Sequence, residues 1–308
     1  MAIFHQNQRK GAALITVLVV LTVLTWTLLD YLDRTREDWA IATAYRDRIH
    51  SRLLCRSALA ATREQLLLDD SGIDWLGEKW AKPFLTQLPG ANEIRVELTD
   101  EQSLFNINTV LIAGQMPHPG RMAVLQRLLS EKPEGMLISP LLDWMDTDDV
   151  PRRGGAERSY YAQLRPPRFI RNGPITSMAE LSLIHNWDGW TASRRAAASA
   201  PITVYGPGLI NVNTASAGVL EALVPSAPPA AIAAVIDLRW QKPFHHVDEF
   251  FDALGTSAAD RREISPQLTV RTQYFRFHVD VTINDLTSSA TAILRRVVRR
   301  IQVVEWAE

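Results

Sequence analysis

Gln8-Arg9-Lys10-Gly11 is followed at once by Ala12 to Leu29, AALITVLVVLTVLTWTLL, eighteen residues without a charge. A helix rising ~1.5 Å per residue carries that run across roughly 27 Å, close to the ~30 Å hydrocarbon thickness of a bilayer. Arg9 and Lys10 stand before the span and hold the amino terminus in the cytoplasm by the positive-inside tendency. Everything after Asp30 then lies across the membrane. A secretory signal has its small residues and its cut after the apolar core. Here Gly11 precedes the core, so a cut between Gly11 and Ala12 leaves the anchor on the mature chain. An uncleaved signal anchor is the plainer account of the same thirty residues.

Working outward, no glycine or proline occurs between Ala12 and Ser71, a stretch free of the strongest helix breakers. Beyond the bilayer, Ala42, Tyr45, Ile49, Leu53, Ala60 and Leu67 recur at helical spacing, with Arg36, Asp47, Arg48, Arg56 and Arg63 among the other positions. The pattern predicts one long helix whose first third lies in lipid and whose remainder lays that apolar stripe on a head domain. Asp69, Asp70, Ser71 and Gly72 end it. Ile94 to Leu98 alternates as a strand, Asp100 to Gln102 turns, and Leu104-Phe105 reads as a second short strand. From Asn106 to about Ser265 the chain contains prolines and short helical patterns. Alternation returns from Leu268 to Ile283, a turn follows at Asn284-Asp285, and the run from Ala290 to Trp306 reads as a strand with a bulge rather than a helix, on its β-branched content. The expected architecture is α+β: a long helix on one small antiparallel sheet, strands near 94–105 and 268–306, interrupted by a helical insertion.

The chain has 308 residues, 33 basic against 34 acidic, for a net charge of −1. That balance asks for neither nucleic acid nor an acidic surface, and the length suits about two domains. The single cysteine, Cys55, excludes an intramolecular disulfide.

The insertion contains an internal echo. Phe105-Asn-Ile-Asn-Thr109 is matched by Ile210-Asn-Val-Asn-Thr214, and Ile175 to Leu181 by Pro243 to Phe250. Each unit resembles the helix-hairpin-helix (SAM-like) motif, in which a glycine-rich hairpin presents backbone N–H groups to a DNA phosphate. A membrane-tethered DNA-binding protein is therefore the alternative function. It is disfavoured because Val224-Pro-Ser-Ala-Pro-Pro-Ala230 has no glycine and adjacent prolines that donate nothing. Between Ile210 and Gly255 five acidic residues also outnumber Arg239 and Lys242. Asn106, Asn108, Asn211 and Asn213 read as turn and N-cap residues.

Between the repeats lies LLDWMDTDDVPRRGGAE, residues 141–157. Asp143, Asp146, Asp148, Asp149 and Glu157 are hard oxygen ligands at short spacing, suited to Ca²⁺, though not in the order of an EF-hand. The competing account is a solvated acidic turn, with Asp143 capping a helix while Arg152 and Arg153 balance charge. His245 and His246, beside Asp248 and Glu249, read as a helix entry. No phosphate loop, zinc helix or nucleophile elbow appears, and nothing supports catalysis.

The basic pair, Gly11, the apolar run and the breaker-free helix resemble the class III signal of type IV pilins and type II secretion pseudopilins. Most pilins have a glutamate five residues after the cut, where this chain has Thr16. That departure, the LLDW-x-D-x-DD segment with its GGAE and tyrosines, and the two NxNT units are similar to the protein K family of type II secretion minor pseudopilins. The resemblance implies a leader at 1–11, a membrane helix at 12–30, a spine with first strands at 31–105, an inserted helical domain at 106–265 and closing strands at 266–308. It further implies cleavage between Gly11 and Ala12 with N-methylation of Ala12 by a prepilin peptidase. A single-pass protein results, in inner-membrane lipid, with its bulk in the periplasm. The family caps a short pseudopilus with the I, J and H subunits, without nucleic acid, and its members carry calcium in the globular region.

Overall fold

The computed structural model describes residues 3–87, 93–130, 136–187, 189–284, 286–298 and 300–308, with side chains from Leu14 onward. Helix α1 (Ile3–Leu67) is followed by the edge strand β1 (Phe84–Thr86) and by β2 (Glu93–Asp100). The helical region then carries β3 (Phe105–Asn106), β4 (Leu111–Ile112), β5 (Met116–Pro117), α2 (Pro119–Leu129), α3 (Ile138–Met145), α4 (Arg158–Ala162) and α5 (Ala192–Ser199). It continues through β6 (Ile202–Thr203), β7 (Ile210–Asn211), α6 (Ala217–Leu223), α7 (Pro229–Gln241), α8 (Val247–Leu254), α9 (Ala258–Ile264) and β8 (Leu268–Thr269). Three long strands close the chain: β9 (Tyr274–Ile283), β10 (Leu286–Val297) and β11 (Arg300–Ala307).

The sheet runs β1-β2-β9-β10-β11, antiparallel throughout. Period-2 alternation sets its inward face: Phe275, Phe277, Val279, Val281 and Ile283 of β9 are all buried, as are Ile94, Val96 and Leu98 of β2. Helix α1 covers that face. A second cluster of buried apolar side chains lies wholly between Phe105 and Leu268.

Helix α1 is long and apolar enough to cross a membrane, but its packed face differs from the expected one. Ala42, Tyr45, Ile49, Leu53, Ala60 and Leu67 are exposed; Tyr45 is 67% and Leu53 57% accessible. The residues against the sheet are Asp47, Ser51, Cys55, Thr62 and Leu66, with Leu54, Ala58 and Leu59 partly buried beside them. Small and polar side chains win these positions because the sheet supplies the bulk, in Phe275, Phe277 and Trp80, and the helix must approach closely. Ser51 Oγ meets Ser288 Oγ at 2.9 Å, Asn284 Nδ2 donates to Asp47 Oδ2 at 2.9 Å, and Arg63 Nε donates to the Ile301 carbonyl at 3.1 Å. Burial pushes the Cys55 thiol up to about 11, which leaves it an inert packing residue.

The strand assignments need three corrections. Phe105 does not join the main sheet: β3 pairs in parallel with β6, and likewise Leu268-Thr269 pairs in parallel with Ile210-Asn211. Both pairs are two residues long and close the ends of the helical repeats. The run from 290 to 306 is strand, but it breaks at Val298 into β10 and β11, with an irregularity between Ile293 and Leu294 where Val304 is extra. Strand β1 adds an edge to the sheet that the sequence pattern does not predict, since three residues carry no alternation signal. Asn284 adopts φ +53° in the turn between β9 and β10, as a tight hairpin requires; Asp285 lies outside the described residues.

Polar joints tie the helical region to the sheet: Glu101 bonds Thr203 and Arg276, Tyr205 bonds Glu305, and a third centres on Asp100. Asp100 continues the inward row of β2 beyond Leu98. Its Oδ1 accepts from Gln102 N at 2.6 Å, and its Oδ2 accepts from Thr214 Oγ1 at 2.6 Å, Thr272 Oγ1 at 2.5 Å and Asn211 Nδ2 at 3.1 Å. Nearby, Asp74 accepts from Thr272 N at 2.7 Å and from Arg296 Nη1 at 2.9 Å, while Arg296 Nη2 holds Asp69 at 2.9 Å. Burial raises both carboxyls from 3.8 to about 6, outweighing the donors and Arg296. A folded pKa above the unfolded one stabilises the protein below about pH 4, and that contribution is lost as the pH rises through about 6. Asp100→Asn should therefore destabilise the chain by an amount that shrinks from pH 4 to pH 7, read by urea unfolding of both proteins. A deficit independent of pH over that range would contradict it.

Candidate functional site

Helix α3 is buried along its whole length, which fixes the acidic segment that follows. Trp144 packs edge-on to Tyr161 of α4, with centroids 5.1 Å apart, so the loop between α3 and α4 must return over the carboxylates. Asp143 lies in the last turn of α3, Asp146 caps it, and Glu157 stands at the N-cap of α4 without making a capping bond. Oxygens of Asp143, Asp146 and Glu157 lie within 4.8 Å of one another, and all three side chains are buried.

Of the five predicted acids the structure brings these three together. Asp148 and Asp149 are exposed: Asp148 Oδ1 accepts from Val150 N at 2.8 Å, and Asp149 Oδ1 accepts from Asn172 Nδ2 at 3.1 Å and lies 3.4 Å from Arg158 Nε. The loop closes through Arg152. Its backbone N–H donates to Asp143 Oδ2 at 3.1 Å, its Nη1 donates to Asp143 Oδ1 at 2.7 Å, and the same Nη1 bonds Asp146 Oδ2. The charge-balancing role weighed for Arg152 is thus realised in geometry. Gly154 turns the loop at φ +77°, and Gly155 N donates to the Arg152 carbonyl at 2.8 Å.

Three oxygens are left over. Both carboxylate oxygens of Glu157 and Oδ1 of Asp146 are buried and accept no hydrogen bond among the described residues. Unsatisfied buried carboxylate oxygens are costly. Burial, then the charges of Asp143 and Asp146, push Glu157 up to about 7, and burial raises Asp143 and Asp146 as well. A hard divalent cation would satisfy these oxygens, and the donor set fits calcium. A second acidic group, Asp69, Asp74 and Glu78, differs: Arg296 holds both aspartates, and Glu78 Oε2 accepts from Trp75 N and Trp80 Nε1 at 3.1 and 2.6 Å.

The repeats act as a frame. Asn106 and Asn211 each accept from the N–H two residues on, at 3.0 Å in both. Asn108 Nδ2 and Oδ1 clamp the backbone C=O and N–H of Ile175, both at 2.8 Å, and Asn213 clamps those of Phe244, both at 2.9 Å. Glu180 and Glu249 then accept from Thr176 N and His245 N at equivalent places. His245 and His246 are exposed at the entry to α8. Pro228 and Pro229 form the start of α7, where a phosphate-binding hairpin would need donors.

At the amino terminus, Gly11 and Ala12 lie within α1, the Ala12 side chain outside the described ones, and Thr16 lies on its exposed surface. The sequence did not flag the Asp74, Asp100 and Arg296 joint. Its signal was Asp100 at an inward register after Ile94, Val96 and Leu98.

Two family models, both described as type II secretion system (T2SS), protein K, match residues 103–206 and 210–271. The type II secretion system protein K of Klebsiella pneumoniae is 24% identical over 97% of this chain and 96% of its own length. A putative type II secretion system protein K of Escherichia coli K12 is 27% identical over 58% of each. A chain from the crystal structure of the GspK-GspI-GspJ complex of enterotoxigenic Escherichia coli has the same fold, with TM-score 0.66, 22% identity and coverage of 84% of this chain and 98% of that one.

A methyl group at Gly155 would lie 1.9 Å from Asp143 Oδ2. Gly155→Ala should force the loop off Asp143 and cost about 1–3 kcal/mol in chemical denaturation, whereas Gly154→Asn, an αL-tolerant residue with open space around it, should cost much less. Equal, negligible losses would contradict this packing.

Proposed function

The chain belongs to the type II secretion system protein K family, and from that premise we propose that this minor pseudopilin caps the tip of a periplasmic pseudopilus. The observation that carries the proposal is the helical body from Phe105 to Leu268, with its own core, set into a pilin-like frame of one long helix and one sheet. A subunit of that bulk cannot repeat along a fibre whose neighbours stack by their spines, but it can sit at the end. Thr16 in place of the usual glutamate agrees: an unpaired carboxylate in lipid is costly, and an end subunit has no neighbour above it to pair.

The spine supplies the contact. Trp39, Ile41, Tyr45, Ile49 and Leu53 are exposed on α1 past the bilayer and would be buried against the spines of the I and J subunits, with H further down the fibre. The complex named in the structural comparison assembles K with I and J. The chain would be processed by a prepilin peptidase between Gly11 and Ala12, N-methylated on Ala12, and held as a single span in the inner membrane with the body in the periplasm. The work is mechanical: assembly beneath the tip pushes folded proteins toward an outer-membrane channel, with no catalytic step. DNA binding is not supported by the family or by the proline-filled hairpin of the second repeat.

Calcium would be held by Asp143, Asp146 and Glu157, supported by the three buried oxygens that lack partners. It would supply the positive charge that ties the loop between α3 and α4 to the helical core. Asp148 and Asp149, at the rim, would lend negative potential.

Two results test these statements. Co-expression with a prepilin peptidase should yield a chain whose mass begins at methylated Ala12; retention of Met1, or a cut beyond Leu29, would refute it. Calcium at about a hundred times its Kd should stabilise the full chain by about 2.7 kcal/mol, read as a higher Tm, and Glu157→Gln should remove that shift. No shift in the unsubstituted chain would refute the calcium site.

A further inference from the structure

Asp143, Asp146 and Glu157 bring three buried carboxyl groups together, and among the described residues the Arg152 guanidinium bonds two of them. The Arg152 guanidinium is asymmetric in what it serves. One nitrogen, Nη1, bonds both aspartates, and among the described residues no hydrogen bond reaches the Glu157 carboxyl oxygens. That nitrogen lies between the two aspartates, where a cation shared by them would lie. The arginine enters from outside: its side chain is 27% accessible, against 0% for the two aspartates. Because the guanidinium reaches the aspartates from the solvent side, the side chain can leave without disturbing α3.

A calcium ion takes six to eight oxygens at 2.3–2.6 Å. To use the aspartate oxygens it must displace the guanidinium, because two cations at contact distance in a poorly screened site repel strongly. We propose that Arg152 is a built-in stand-in for the cation, pairing Asp143 and Asp146 while the ion is absent and swinging to solvent when it enters, so that it sets how much calcium the site requires. The inference rests on the calcium reading above and adds the residue that competes with the ion. Its consequence is a chain that stays folded without calcium, since breaking a buried pair with nothing in its place is strongly destabilising.

The test is calorimetric titration of the full chain in detergent with calcium chloride, comparing the unsubstituted protein, Arg152→Gln and Arg153→Gln. Arg153 is exposed on the next residue and carries the same charge, so it reports bulk electrostatics. Arg152→Gln should bind calcium roughly ten- to hundredfold tighter, the equivalent of one charge-assisted hydrogen bond no longer broken, with Arg153→Gln unchanged. In chelator Arg152→Gln should melt below the unsubstituted chain and recover with calcium. Equal or weaker binding by Arg152→Gln, or equal tightening by both variants, overturns the inference while leaving the calcium site in place. If neither the unsubstituted chain nor Arg152→Gln binds, the calcium reading itself falls. Should Arg152→Gln not fold, Arg152→Lys, whose ammonium lacks the planar fork, should show a smaller gain in affinity, and no gain overturns the proposal.

Discussion

The Asp100 carboxylate is a buried point at which two separately packed bodies become one molecule. It sits at the end of an inward row of apolar residues on β2, buried, and takes its donors from both sides of the joint: Gln102 beside it, Thr272 from the approach to β9, and Asn211 and Thr214 from the second repeat. A methyl-bearing side chain there would extend the core but remove the acceptor that Thr214, Thr272 and Asn211 share. Asp74 repeats the device one step away, joining the segment after α1 to Arg296 of β10.

The same chemistry gives opposite results at the two acidic groups. Around Asp74 the carboxylates are used up by an arginine and by backbone and indole N–H groups. Around Asp143 the loop folds three buried acids together, and among the described residues the Arg152 guanidinium bonds two of them and Glu157 accepts no hydrogen bond. Both groups are short-range clusters of acids, and only the hydrogen-bond accounting separates a finished structural joint from a site that still wants a cation.

Much of this was legible in the residues. The breaker-free run from Ala12 to Ser71 fixed the long helix, and strict alternation from Tyr274 to Ile283 fixed the central strand. The paired NxNT segments located both repeats, whose asparagine clamps on Ile175 and Phe244 have matching geometry. The acids at 143, 146 and 157 stood in a short segment, and folding gathers those three. The face of α1 did not follow from its sequence. Apolar Tyr45, Ile49 and Leu53 look like core residues, yet Ser51, Cys55 and Thr62 take the sheet, because closeness of packing selected small side chains. The register of two-residue parallel bridges such as Phe105 with Ile202 also lies beyond local pattern, since the partner is a hundred residues away. Arg152 could be seen to balance charge, but its place between two particular aspartates depends on the loop's return over α3.

The proposed place at the end of a fibre rests on an apolar row left outward on the spine and a bulky body joined to the sheet. The measurement that meets this claim most directly is the position of the chain in assembled fibres, read by electron microscopy with a gold label on the helical body, for instance at exposed Phe169 replaced by cysteine. The account predicts a single label at one end of each pseudopilus. Labels spaced along the fibre length would contradict it.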